Sequence, residues 1–215
     1  MRIFRCLFIV LLVMAPLASA QETKLPMKEI QSVAQKALET FSQLVNKENY
    51  ARMGFDSTEQ VRTATLGIPI QDFMVRLDTL KKYIPGSRPD DLLTATNQVI
   101  YPVLVKDQVR SSITITKTQE NWQAVSFGGS NFVKLASTTL MENSRETGLD
   151  HSSYFLVRVP SLNLFFLGYR SNTELMLVPL MDDKRLEFKA GVGIKAGQVF
   201  SAILPVAKAH DGLPR

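Results

Sequence analysis

The stretch SSYFLVRVPSLNLFFLGYRS, residues 152–171, decides the fold class, because two short apolar runs flank a turn at Pro160-Ser161. Successive side chains of a strand point to opposite faces, and here both faces are apolar. In the first run Phe155, Val157 and Val159 point one way and Tyr154, Leu156 and Arg158 the other, and in the second Leu162, Leu164 and Phe166 oppose Asn163, Phe165 and Leu167. Strands of this kind are buried on both sides, so we predict a central hairpin under two layers of cover. Aspartate at Phe165 or at Phe166 is then expected to be equally damaging.

The same stretch does not suit a membrane-spanning helix. Arg158, Pro160 and Gly168 interrupt it, and its apolar run is shorter than the roughly 20 residues that a bilayer requires. We therefore expect no membrane span in the mature chain.

Two amphipathic helices are predicted to supply the cover. Apolar residues recur at helical spacing from Pro26 to Glu48, and again from Ser130, which suits a helix cap, to about Glu146. Between them lie three strand-like segments, residues 99–105, 109–117 and 122–127, which form an antiparallel meander. The first helix is the most regular element of the chain.

The remaining segments complete an α+β fold. A short helix near Ser57, strands at residues 68–77, 174–180 and 185–189, and a last helix over residues 197–209, interrupted by Pro205, are expected. We predict a long N-terminal helix on a mostly antiparallel sheet with helices on both faces. Residues 21–215 form one domain, with possible lobes 21–147 and 148–215 sharing the sheet. The plan of this helix and meander is similar to that of cystatin-like domains, although no motif assigns the chain to that family.

The N-terminus has the layout of a secretory signal peptide. Two arginines precede an apolar run from Cys6 to Leu17, and Ala18-Ser19-Ala20 stands before a polar sequence. We expect cleavage after Ala20, which removes 20 of the 215 residues and leaves 195. Because Cys6 is the only cysteine, the mature chain has none, which is typical of bacterial export to the periplasm or medium.

The charge pattern argues against nucleic-acid binding. The formal net charge is +5, and loss of Arg2 and Arg5 with the signal peptide leaves +3. Basic residues alternate with carboxylates along the chain, whereas nucleic-acid binding requires a clustered basic face. The sequence indicates a mixed-charge solvated surface.

No complete catalytic or cofactor motif is present. Asp150-His151-Ser152 contains the residue types of a hydrolase triad, but the G-x-S-x-G turn that holds such a nucleophile is absent. Glycines at 191, 193 and 197 do not have the dinucleotide spacing, and only His151 and His210 are available as histidine ligands. We expect no catalytic residues, no cofactor and no metal site.

Three side chains are candidate contacts for a ligand or partner. Arg158 stands among Leu and Val, so its guanidinium must reach water, a carboxylate or an anionic ligand. Trp122, at the start of a strand, suits either a surface contact or packing over the hairpin. His151 belongs to the Asp-His-Ser stretch.

These features favour a non-catalytic exported protein that binds or scaffolds a small apolar ligand or a partner protein. Apolar residues make up 45% of the chain, enough for a large core and a pocket. A hydrolase using Ser and His is one alternative. A protease-inhibitor or prodomain-like module, suggested by the cystatin-like plan, is the other.

Overall fold

The computed structural model describes residues 25–119 and 121–212, apart from the side chain of residue 130. The signal peptide and Cys6 lie outside the described residues. The helices are α1 (Met27–Leu44), α2 (Thr58–Arg62), α3 (Leu77–Leu80), α4 (Ser130–Thr147) and α5 (Ala196–Ala209). The strands are β1 (Thr65–Leu66), β2 (Ile70–Val75), β3 (Leu93–Val105), β4 (Gln108–Thr118), β5 (Asn121–Phe127), β6 (Phe155–Val159), β7 (Leu164–Ser171), β8 (Glu174–Pro179) and β9 (Ile194–Lys195). The predicted α+β class is confirmed.

The described strands form one mixed sheet of nine strands. Its order is β5-β4-β3-β2-β6-β7-β8-β9, and β1 pairs with β3 beyond the start of β2. Among the described strands, β2 and β6 are the one pair that runs parallel. This pair joins an N-terminal antiparallel half, β1 to β5, to a C-terminal antiparallel half, β6 to β9.

The two faces of the sheet have separate cores. Val99 of β3 packs under α1 and Phe73 of β2 packs towards α5. Gln71, two residues before Phe73, pairs with Val99, so α1 and α5 lie on the same face of the sheet. Leu156, next to Val157 in β6, packs with α4 on the opposite face.

The stretch 152–171 forms β6, a short 3-10 turn and β7, and these strands lie between β2 and β8. Leu164 and Phe166 face the core under α5, whereas Phe165 and Leu167 face the core under α4. The predicted cover by the first helix is not found, because α1 lies over the core of β3, β4 and β5. The last helix covers the hairpin in its place.

Pro205 does not interrupt α5, although it removes a backbone donor from the helix interior. It is solvent-exposed, while Phe200, Ile203 and Ala207 face the core. The proline therefore lies where the freed carbonyl one turn earlier can meet water.

Two further segments differ from the sequence-based prediction. Residues 185–189 form a turn closed by a bridge between Asp183 and Phe188 instead of a strand. The Asp183 carboxylate accepts hydrogen bonds from the guanidinium and then from the backbone N–H of Arg185, which hold the pKa of Asp183 below its usual range and stabilise the turn. The capping position of α4 is Gly129, at φ 72°, and Ser130 is the first helical residue.

Gly168 lies in β7, near the end of the stretch 152–171, where packing leaves no room for a side chain. The ring of Phe155 on the paired strand lies across Gly168, and an added Cβ would stand 2.5 Å from Phe155 Cε2. A side chain at residue 168 would displace this ring, so the glycine is required by packing.

Within the described residues, no helix combines the length and the apolar character needed to cross a membrane.

Candidate functional site

Two grooves lie between α4 and the sheet. The first, which we call the polar groove, has a volume of about 180 Å³. Half of its ten lining residues carry hydroxyl, amide or guanidinium groups. Its lining residues are Gln98, Ile100, Ser112, Thr114, Ser126, Gly128, Gly129, Phe132, Val133 and Arg158.

Arg158 enters the polar groove from β6 and is held by Asp72 of β2. Arg158 Nε donates to Asp72 Oδ1 at 2.7 Å, and Arg158 Nη2 donates to Asp72 Oδ2. Thr96 Oγ1 lies 2.8 Å from Asp72 Oδ2. The Asp72 side chain is fully buried while 30% of the Arg158 side chain is exposed, so the pair is anchored at the carboxylate and open at the guanidinium.

This ion pair depends on the parallel pairing of β2 with β6. Asp72 pairs with Leu156 and Met74 pairs with Arg158, so Asp72 and Arg158 are diagonal neighbours on the α4 face. A bidentate contact compensates the cost of burying the carboxylate, which is large for an unpaired ion. Sequence analysis allowed water, a carboxylate or an anionic ligand as the partner of Arg158. The structure shows a carboxylate, and the ion pair lies at one edge of the polar groove.

The second groove, which we call the apolar groove, has a volume of about 510 Å³. It lies between α4, the β1–β2 connection and the β3–β4 hairpin. Most of its lining is aliphatic. Its lining residues are Leu66, Gly67, Ile68, Pro69, Ile70, Pro102, Leu104, Asp107, Val109, Ser137, Leu140 and Met141.

The local sequence explains the shape of the apolar groove. The Gly67 N–H donates to the Pro102 carbonyl at 2.7 Å, and a Cβ on Gly67 would lie 3.1 Å from Pro102 Cβ. Close approach of these backbones lets Ile68 and Pro69 form the wall of the groove. Met141 and Ile68 remain 42% and 40% exposed, so this wall is apolar surface open to solvent.

Two polar side chains stand in the apolar groove. Ser137 Oγ, on α4, is buried and has no hydrogen-bond partner among the described residues. Asp107 is exposed and lies at the tip of the β3–β4 hairpin. Lys106 and Asp107 both have positive φ, at 50° and 60°, which is the pattern of a two-residue type I′ hairpin turn.

The Asp-His-Ser stretch forms a 3-10 turn before β6, outside both grooves. Ser152 Oγ donates to Asp150 Oδ1 at 2.5 Å, and the Ser152 N–H donates to the same oxygen at 2.8 Å. These bonds hold the pKa of Asp150 below its usual range. The carboxylate thus binds the serine directly, and the hydrogen bonds found among the described residues do not place His151 between them as a relay.

Trp122 lies in the core beneath α1, where it is 7% exposed. It lines neither groove and packs under α1 instead of over the β6–β7 hairpin.

Within the described residues, no group of three or more His, Cys, Asp and Glu side chains is placed to hold a metal ion.

Comparisons of the chain with protein-family models, with curated proteins and with solved structures find no match. No relative therefore assigns a function to either groove.

Sequence reasoning did not find Asp72, Ser137 or the apolar groove. Asp72 carried a usable signal, since an aspartate inside the apolar strand IQDFMV requires a partner. Ser137 carried none, because an isolated serine on an amphipathic helix normally faces water. The groove unites segments that are up to 75 residues apart, from Leu66 to Met141, and only the tertiary fold brings them together.

Proposed function

We propose that this protein is an exported, non-catalytic binding protein for a small apolar ligand, and that the apolar groove is the binding site. Export is supported by the layout of residues 1–20, and ligand binding is supported by the groove. The observation that carries the proposal is an aliphatic groove of about 510 Å³ with a buried, unpaired hydroxyl in its lining.

The size and chemistry of the groove suit a small molecule. Ligand sites commonly enclose about 300 to 1,000 Å³ and combine apolar walls with a few polar groups. Burial of apolar surface contributes roughly 25 cal/mol per Å², so a ligand that covers Ile68 and Met141 gains from each wall of the groove. A single unpaired hydroxyl then supplies orientation.

A binding titration with diphenylhexatriene tests the proposal. This hydrocarbon dye fluoresces in apolar surroundings and has no hydrogen-bonding group, so its emission reports occupancy of the groove by apolar contact. We expect saturable binding of one dye per chain to the purified protein. Met141→Asp is expected to weaken binding by more than about tenfold, because it places a charge against the dye.

Leu135→Asp is the matched control. Leu135 is also on α4 and is also 42% exposed, but it lines neither groove. We expect this variant to bind the dye like the parent protein, and thermal melts should show that both variants are folded. Absence of saturable binding, or equal loss in the two variants, contradicts the proposal.

A further inference from the structure

We infer that the natural ligand of the apolar groove is a neutral amphiphile, with an uncharged hydrogen-bonding group such as a hydroxyl or carbonyl, and that carboxylates are selected against. This inference rests on the proposed function. It follows from the two polar side chains in the groove, Ser137 and Asp107.

Ser137 provides the hydrogen bond. Its hydroxyl oxygen is out of reach of solvent and has no partner among the described residues, not even the carbonyl of Val133, four residues earlier, that a helical serine commonly uses. A buried hydroxyl without a partner destabilises the empty site. Ser137 lines the groove, and rotation about its χ1 angle would turn the hydroxyl into it. A ligand hydroxyl or carbonyl would then remove this cost, which a hydrocarbon cannot do.

Asp107 sets the charge preference. It is the one ionisable group among the lining residues of the apolar groove. The hydrogen bonds and ion pairs found among the described residues do not include its carboxylate, and the nearby Arg110 pairs with Asp56 instead. Lys106 precedes it in the turn but does not line the groove. A ligand carboxylate would therefore meet a like charge at the groove edge and would lose water without gaining a cationic partner.

The polar groove does not offer an alternative site for a ligand carboxylate. Its one cationic lining group, Arg158, already makes a bidentate contact with the buried Asp72 carboxylate. The pair is neutral as a unit, so the described part of the α4 face presents no uncompensated positive charge inside either groove.

Displacement of diphenylhexatriene by octanol and by octanoate tests the inference at neutral pH. The two competitors share an alkyl chain and differ in the headgroup. We expect octanol to displace the dye at a concentration about tenfold or more lower than octanoate, since the hydrogen bond favours one and the like charge opposes the other.

Two variants, each with a matched control, assign the preference to its causes. Ser137→Ala is expected to lower the affinity for octanol by about three- to tenfold, the usual contribution of one hydrogen bond, and to leave the affinity for the dye unchanged. Thr138→Ala, at the neighbouring exposed position, should change neither. Asp107→Asn keeps a residue that tolerates positive φ and should raise the affinity for octanoate by a few fold. Glu142 is an exposed carboxylate outside the groove lining, so Glu142→Gln should leave that affinity unchanged.

The outcomes separate this inference from the proposed function. Suppose that the dye binds, but that octanoate displaces it at the same concentration as octanol, or that Ser137→Ala leaves the affinity for octanol unchanged. The groove then binds apolar ligands, and the inference is wrong. If neither the dye nor either competitor binds, both the proposed function and the inference are wrong.

Discussion

Asp72 and Arg158 have unequal surroundings, although they form one ion pair. The carboxylate is fully buried, whereas nearly a third of the Arg158 side chain is exposed at the polar groove. Loss of the arginine leaves a carboxylate with no access to water. Loss of the carboxylate leaves a guanidinium that can turn towards solvent.

We therefore predict that Arg158→Met destabilises the fold more than Asp72→Asn. Arg158→Met should cost about 3 to 5 kcal/mol in free energy of unfolding, as removal of one partner from a buried pair does, and Asp72→Asn about 1 to 3 kcal/mol. Urea denaturation measures both. The double variant should be more stable than Arg158→Met alone, and equal costs for the two single variants would contradict the asymmetry.

The sequence predicted that Arg158 needs water or an anion, and burial chemistry alone was sufficient for this. It did not identify the anion, because Asp72 is 86 residues away and becomes a neighbour only through the parallel pairing of β2 with β6. Local periodicity contains no information about which strands pair.

Phe165 and Phe166, neighbours in β7, are covered to different depths, although Leu167 on the α4 face is as buried as Phe166 on the α5 face. Phe166 is 1% exposed beneath α5, whereas Phe165 is half-buried and contacts the Phe132 ring with centroids 5.2 Å apart. The sequence predicts equal damage to the fold from aspartate at Phe165 and at Phe166, whereas this difference in burial predicts unequal damage. Alternation assigned each phenylalanine to a face, but it could not state how completely each helix covers that face.

We predict that Phe166→Asp prevents stable folding and that Phe165→Asp leaves a folded, weakened protein. The carboxylate at residue 166 would be buried without a partner, while the one at residue 165 would replace a half-buried ring and can reach water. Circular dichroism melts compare the two. Phe166→Ala and Phe165→Ala provide a milder pair, with about 3 to 5 and about 1 to 3 kcal/mol expected, and a larger loss for Phe165 would contradict the order.

The core under α4 connects the two antiparallel halves of the sheet. It contains Ile70 and Ile100 from the N-terminal half and Leu156, Leu167 and Val178 from the C-terminal half. The cores under α1 and α5 each belong mainly to one half. Unfolding of one half exposes the shared core, so the two halves depend on each other.

We predict a single unfolding transition, and Trp122 allows a direct test because it is the sole tryptophan and lies in the N-terminal half. Phe200→Ala removes a fully buried ring from the core under α5 and should cost about 3 to 5 kcal/mol. Trp122 fluorescence and far-ultraviolet circular dichroism should shift to the same lower midpoint. Val206→Ala, at an exposed site of α5, is the control, and an unchanged Trp122 midpoint would show that the halves unfold independently.

Sequence reasoning recovered the α+β class and most strand positions, because periodicity and turn residues are local signals. It named α4 correctly as one of the two helices that cover the hairpin, but it named the first helix in place of α5 for the other face and missed the apolar groove. Both depend on the strand order, in which β2 lies between β3 and β6, and the strand order is a property of the complete fold.

The parallel contact between residues 71–74 and 155–158 has a consequence for synthesis. A growing chain can complete the β2 to β5 pairing once residue 127 has emerged, but the other edge of β2 waits for about 30 more residues. Throughout that interval the edge is a template for aggregation with a second chain. Asp72 lies in the middle of that edge, and its negative charge opposes pairing with a strand of another chain. Once β6 pairs with β2, Arg158 binds Asp72 and neutralises this charge.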